Sequence, residues 1–160
     1  MLSLLTGAGM SRDRLVAFLW PESSEERGRH GLAQLLYGVR RDFGEDVLGG
    51  SAITLRLNSA IISSDIEDFD AAHSRGDWTR VGELYRGPFL DGFHLSGCAE
   101  FERWVDQERA RIASHTQAAL AALAERASAD HDLAGAVHHW ERLSALTPYD
   151  SRVMLRLLQA

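Results

Sequence analysis

The spacing of apolar residues changes near residues 58–65, and this change constrains the fold more than any other feature of the 160-residue chain. Before it, two helical patterns are followed by short runs of β-branched and alternating residues around a Gly-Gly pair. After it, helical patterns continue to the last residue. Strands confined to one part of a chain predict a mainly α-helical protein with two domains, residues 1–62 and 63–160.

The first helical pattern covers Ser11–Trp20 and is short. Ser11 has the side chain of a good N-cap, because its hydroxyl oxygen can accept a hydrogen bond from a free N–H of the first turn. Pro21 has no N–H to donate and restricts the residue before it, so we expect the helix to end there.

The second predicted helix covers Ser23–Phe43, and Ser23 with Glu26 matches the capping-box pattern. Gly44 is the expected C-cap. The apolar stripe of this second helix consists of Leu32, Leu35, Leu36, Val39 and Phe43. Three glycines interrupt the helix, at Gly28, Gly31 and Gly38. Each glycine costs about 0.8–1 kcal/mol relative to alanine, so we expect packing or a partner to hold this helix.

Hydrogen-bond donors occupy the opposite side of the second helix at 100° per residue. The outward set is Arg27, His30, Gln34, Tyr37 and Arg41, with Arg29 and Arg40 beside the apolar face. Arginine can bind a guanine edge in two places, glutamine can pair with adenine, and the flanking arginines can hold phosphates. The pattern therefore predicts a DNA-contacting helix, and the alternative is an arginine-rich face that is merely solvated.

A β-hairpin is expected directly after the second helix. Val47–Leu48 and Ile53–Leu57 form its predicted strands, around a turn at Gly49-Gly50-Ser51. A short helix, a turn, a polar-faced helix and a hairpin make a partial winged helix-turn-helix, whose second helix enters the major groove. Arg56 on the hairpin would reach a neighbouring groove or a phosphate.

The helical part contains a spacing typical of a tetratricopeptide helix pair. Leu123-Ala124 is followed by Ala136, then Trp140, then Pro148. Two small alanines would let neighbouring helices cross closely, and Trp140 would fill the groove between them. A looser match is formed by Phe69, Val81, Tyr85 and Pro88. The prediction is a tetratricopeptide-like antiparallel helical domain, and the alternative is any antiparallel bundle.

The sequence resembles bacterial regulators of the antibiotic-regulatory-protein type over nearly its whole length. The first part of the resemblance is SRDRLVAFLWPESSEERGRHGLAQLLYGVRRDFGEDVL, followed by ITLRLNSAIISSDIEDFDAAH. A third segment, ELYRGPFLDGFHLSGCAEFERWVDQERAR, looks like the signature of their bacterial transcriptional activator domain. Such proteins join an OmpR-like winged helix to tetratricopeptide-like helices.

The resemblance implies a transcriptional activator that binds double-stranded promoter DNA, with Arg27–Phe43 as recognition helix and Val47–Leu57 as wing. It also implies that the helical part mediates contacts with RNA polymerase or a second copy. Family members usually carry a β-sheet and a full helix before the position of Met1, and helices beyond Ala160. We therefore expect this chain to be truncated at its N-terminus and incomplete at its C-terminus.

Composition and motifs argue against enzymatic, metal-binding and membrane functions. All 17 basic residues are arginine, so a phosphate-binding loop that requires lysine cannot form, and no G-x-S-x-G elbow is present. His94 and Cys98 lack the second pair of a zinc site. We expect no enzyme activity, no cofactor and no membrane partner. A single cysteine and the absence of a signal-peptide pattern favour the cytoplasm.

The uneven distribution of charge along the chain is also compatible with a second function. Residues 1–58 contain seven arginines and seven acids, whereas residues 59–160 contain ten arginines and 16 acids, which accounts for the net charge of −6. Nucleic acid would be repelled by the acidic part, so a DNA surface has to be local. The alternative function is a helical protein–protein interaction module whose DNA-binding part is vestigial.

Overall fold

A computed structural model describes Leu5 and Gly9–Ala160. The described chain is mainly α-helical with a small antiparallel sheet, which confirms the predicted class; winged-helix and tetratricopeptide identity stay predictions. The strands are β1 Met10–Ser11, β2 Leu48–Gly50 and β3 Thr54–Leu57. The helices are α1 Arg12–Leu19, α2 Glu25–Phe43, α3 Asp65–Ser74, α4 Trp78–Leu84, α5 Ala99–Ala129, α6 Leu133–Leu146 and α7 Ser151–Gln159.

The chain forms two compact units. The first comprises the described residues up to Asp68 together with Gly92–Val105, and the second comprises Phe69–Asp91 with Asp106–Ala160. The long helix α5 thus contributes residues to each unit. The predicted division into residues 1–62 and 63–160 stays a prediction.

Helix α1 begins as the sequence predicts. Ser11 is its N-cap, and the Ser11 hydroxyl accepts a hydrogen bond from the Arg14 backbone N–H at 3.3 Å. The prediction for α2 is wrong by one residue, because Ser24 is the N-cap and makes no side-chain cap bond. Ser23 instead closes the turn after Pro21, where its N–H donates to the Trp20 carbonyl at 3.1 Å.

The apolar side of α2 packs in the core of the first unit, and Leu32 and Leu36 are each 3% exposed. Phe43, predicted on the same stripe, is 53% exposed. Gly44 has φ +97° and donates its N–H to the Arg40 carbonyl at 2.7 Å, which ends the helix. The chain then passes through a short 3-10 turn, and Val47 takes the buried position.

The hairpin predicted after α2 is present, but its strands differ from the prediction. Gly49 and Gly50 belong to β2, and the loop is Ser51–Ile53. Gly50 adopts φ +120°, and a Cβ there would overlap the Thr54 carbonyl oxygen. The sheet order is β1-β3-β2, with Met10 opposite Leu55. Strand β1 was not predicted because two residues show no alternation.

In the second unit, α6 begins after Asp132, whose side chain accepts a hydrogen bond from the Gly135 backbone N–H. One buried cluster joins residues of α5, α6 and α7. Its members are Leu120, Ala124, Ala136, Trp140, Leu143 and Val153. Ala124 and Ala136 are both 0% exposed, so these small residues lie where larger ones would have to displace a neighbour.

Two arginines tie helices of the second unit together. Arg111 of α5 contacts the Asp70 carboxylate of α3 at 2.6 Å. Arg142 of α6 donates to the backbone carbonyl of Gly82 in α4 at 2.6 Å. A bond to a charged donor is stronger than one between neutral groups, so these bonds favour one register between the helices.

Candidate nucleic-acid interface

The outward face of α2 is exposed to solvent at every position predicted for it. Arg27, His30, Gln34 and Arg41 are exposed, and Tyr37 is 68% exposed. Arg29 is exposed as well, whereas Arg40 is half-buried. The structure therefore brings the predicted donors of α2 together on one accessible helix face.

Two of the glycines that interrupt α2 explain how this face is turned outward. A Cβ at Gly28 would overlap the Val16 side chain of α1, and a Cβ at Gly31 would lie 3.0 Å from the Trp20 ring. Glycine at these positions lets α2 lie directly against α1 and the residue that follows it. Because one side of α2 packs closely against α1, the opposite side, which carries the donors, faces solvent. The sequence predicts that packing or a partner holds α2, but it does not show that Gly28 and Gly31 are the residues that allow the close packing.

Three of the predicted arginines are already ion-paired within the first unit. Arg29 lies 2.6 Å from the Glu25 carboxylate and 3.5 Å from that of Asp13. Arg41 lies 2.8 Å from Asp42. The fourth pair joins Arg40 and Glu45 at 3.8 Å. Exposed pairs of this kind contribute about 0–1 kcal/mol each, so a phosphate or base can replace the carboxylate.

Two other predicted arginines are unpaired. Among the residues that the structure describes, Arg27 and Arg56 have no ion-pair partner, and both are exposed. Arg27 lies in the first turn of α2, and Arg56 lies in β3 opposite Gly49. Their charges are available to a ligand without displacement of a carboxylate.

Gln34 is held by a neighbour one helical turn away. Its amide nitrogen lies 3.0 Å from Nε2 of His30. With a neutral His30 that carries its proton on Nδ1, the amide donates to Nε2 and keeps its oxygen and second N–H directed elsewhere. An amide with one free donor and one free acceptor can still pair with adenine in two places.

Arg12 contributes to this region, and sequence reasoning missed it. Its backbone N–H donates to the Ile53 carbonyl at 2.9 Å, and its Nε donates to the Ala52 carbonyl at 3.0 Å. The hairpin loop is thereby bound to the start of α1. No sequence signal could reveal these bonds, because they join residues 40 or more positions apart.

A cleft of about 360 Å³ lies between α1, α2 and the hairpin loop. Its lining residues are Arg12, Asp13, Arg29, Leu32, Ala33, Ala52 and Ile53. Arg29 and Ala33 lie on one flank of α2, next to the outward donors. The hairpin loop and the outward face of α2 therefore belong to one continuous surface of the first unit.

Other chemistry is sparse in the part of the chain that the structure describes. No cluster of three or more His, Cys, Asp or Glu side chains there is arranged to hold a metal ion. Cys98 is a buried thiol, 7% exposed. Within the same residues, no helix combines the length and apolarity that crossing a bilayer requires.

Comparison with known proteins identifies no family for this chain. The chain matches no protein-family model, and no curated protein sequence matches it significantly.

Proposed function

We propose that the protein is a DNA-binding transcriptional regulator that contacts promoter DNA through α2 and the hairpin. The observation that carries this proposal is the exposed face of α2, where arginine, histidine, glutamine and tyrosine side chains lie beside the hairpin loop. A helix about 10–12 Å wide fits the major groove, where base pairs present distinct patterns of donors and acceptors.

The order of the elements supports the same proposal. Along the chain, the order is strand β1, helix α1, helix α2 and the hairpin. In the sheet, β3 lies between β1 and β2. This is the order expected when a hairpin wing flanks a recognition helix in a winged helix-turn-helix. It agrees with the resemblance to antibiotic-regulatory-protein regulators, whose promoter binding we extend to this chain as part of the proposal.

The ion pairs and helix positions of the arginines separate candidates for phosphate contacts from candidates for base contacts. Arg27 and Arg56 have no ion-pair partner within the described part of the chain, which suits contacts to phosphate. Arg41 and Gln34 lie on the central outward line of α2 and are the candidates for base readout. Arg29 and Arg40 would exchange a carboxylate for a phosphate on binding, so each adds less affinity.

Fluorescence anisotropy with a labelled random-sequence duplex at two salt concentrations tests the proposal. Wild type should bind more weakly at the higher salt. Arg27→Ala and Arg56→Ala should each flatten the slope of log affinity against log salt by about 0.9, the value for one phosphate contact. Arg126→Ala, on an exposed arginine of the second unit, is the matched control and should not change the slope.

Base readout requires a separate measurement. After selection of a preferred site from random duplexes, Arg41→Ala should cost about 1–3 kcal/mol on that site and little on others. Arg40→Ala should weaken all sequences alike. No binding by wild type at low salt, or equal behaviour of all arginine variants, would contradict the proposed function.

An exposed apolar face on α7 favours a second candidate function, a helical module for protein partners. Met154, Leu155 and Leu158 are 43%, 56% and 81% exposed, and Tyr149 beside them is 99% exposed. Patches of this kind mark protein interaction sites. Under this candidate, Leu155→Ser with Leu158→Ser would abolish binding to a partner such as RNA polymerase or a second copy, while duplex binding would be absent in wild type.

A further inference from the structure

The hairpin loop Ser51–Ile53 is held by five hydrogen bonds. Within the loop, the Ser51 N–H donates to the Thr54 carbonyl at 2.8 Å. The Ser51 hydroxyl accepts from the N–H groups of Ile53 and Thr54 at 3.2 and 3.1 Å. The two bonds from Arg12 to the carbonyls of Ala52 and Ile53 complete the set. A three-residue loop with this many bonds presents its side chains in one arrangement.

The side chain that this loop presents is apolar. Ile53 is 70% exposed, although its N–H and its carbonyl are both hydrogen-bonded. Isoleucine is branched at Cβ and has few χ1 rotamers, so it adds little freedom of its own. The ordered backbone keeps the isoleucine side chain exposed to solvent as a stiff apolar projection. Its exposed surface contributes no hydrophobic stabilisation to the folded protein.

The charges near Ile53 indicate what this projection would meet. Arg56 projects from the following strand and is unpaired among the described residues, and Arg12 lies at the base of the loop. The loop also lines the cleft beside Arg29 of α2, whose charge is offset by Asp13 and Glu25. An apolar loop residue in a hairpin that also carries an exposed arginine fits a polyanion with an apolar interior, which describes a stacked duplex.

We propose that Ile53 is an apolar wedge that enters the minor groove and partly unstacks one base step, while α2 occupies the adjacent major groove. The inference rests on the proposed function and adds a specificity-determining residue to it. Pyrimidine–purine steps such as TA and CA are the easiest to unstack, so the wedge would favour them without a hydrogen bond to any base. The duplex would bend away from the hairpin as the step opens.

The test uses the full chain and duplexes of about 30 base pairs with a fluorescent donor and acceptor at their ends, one with a central TA step and one with a central GC step. Wild type should shorten the end-to-end distance on the TA duplex more than on the GC duplex. Ile53→Ala should abolish that difference and lose about tenfold in affinity for the TA duplex, because the apolar surface that isoleucine buries between the bases is what offsets the cost of opening the step. Ile53→Val keeps the Cβ branch and should retain most of the bend.

Two controls separate this inference from the function on which it rests. Ile61→Ala changes another exposed isoleucine of the first unit, 47% exposed, and should leave bending and affinity unchanged. The salt slope of Ile53→Ala should equal that of wild type, because no charge is removed. If wild type binds duplex but Ile53→Ala bends it equally, the wedge is wrong and the proposed function stands. If wild type binds neither duplex at low salt, both are wrong.

Discussion

The imidazole rings of His73 and His115 lie face to face, with their centroids 3.8 Å apart and their planes 9° apart. His73 belongs to α3 and His115 to α5, so the stack joins two helices of the second unit. Nδ1 of His115 is buried without a hydrogen-bond partner among the described residues. At this separation, a positive charge on His73 disfavours a positive charge on His115.

The stack predicts a dependence of stability on pH. Burial lowers the pKa of His115, and the charges of His73 and Arg111 lower it further, against the opposite effect of Asp70 and Glu108. The unfolded chain then binds more protons than the folded one below the ordinary histidine pKa of about 6.5. The free energy of unfolding should be constant above that value and fall as the pH decreases through it to the lowered pKa.

Urea unfolding between pH 8 and pH 5 measures this dependence. His139 of α6 also has a pKa lowered by burial, with smaller effects of His138 and Arg142, so it adds in the same direction. His115→Phe should remove part of the loss at low pH. Equal pH profiles for wild type and His115→Phe would show that the stack does not contribute.

The glycines of α2 predict opposite effects of the same substitution. Gly28→Ala should destabilise the protein by about 1–3 kcal/mol, because its methyl group would overlap Val16 of α1. Gly38 has no neighbour within 4 Å of an added Cβ, so Gly38→Ala should stabilise by about 0.8–1 kcal/mol through helix propensity. Thermal unfolding of both variants checks the pair, and a shift of the same sign in both would refute the close-packing role of Gly28.

The two buried alanines of the second unit predict a cost of overpacking. Ala124→Leu should destabilise by about 1–3 kcal/mol, since Ala124 is 0% exposed in a cluster that includes Trp140. Ala118→Leu lies on the same helix at an exposed position and should change stability by less than about 0.5 kcal/mol. Chemical denaturation measures both changes, and a neutral Ala124→Leu would mean that the helices can move apart at no cost.

The ion pair of Arg41 with Asp42 predicts a gain of affinity by mutation. Asp42→Asn frees the guanidinium, which lies 2.8 Å from the carboxylate, and removes a negative charge next to the duplex. Duplex affinity should rise by up to about fivefold at low salt, the upper limit for an exposed pair. Asp130→Asn, which breaks the exposed pair with Arg126, is the control, and an unchanged affinity for both variants would argue against α2 as the contact surface.

Helix positions and the outward face of α2 follow from the sequence, because the 3.6-residue period of apolar residues is a local property. The stripe containing Leu32 and Leu36 sufficed to predict that Arg27, Gln34 and Arg41 are exposed, and all three are. Predictions from local sequence patterns were wrong at the two ends of α2. Phe43, the last residue of α2, is exposed although it lies on the apolar stripe. Ser24 replaces Ser23 as N-cap, and the Ser23 N–H instead donates to the Trp20 carbonyl.

Contacts between distant residues were decided by the tertiary structure alone. Periodicity cannot show that Gly28 accommodates Val16, that Arg12 holds a loop some 40 residues away, or that strand β1 pairs with β3. It also cannot say which arginines meet a carboxylate. Of the five arginines predicted to contact DNA, Arg27 and Arg56 are the two without an ion-pair partner among the described residues. A sequence determines which side of each element avoids water; which groups then meet depends on how the elements pack in three dimensions.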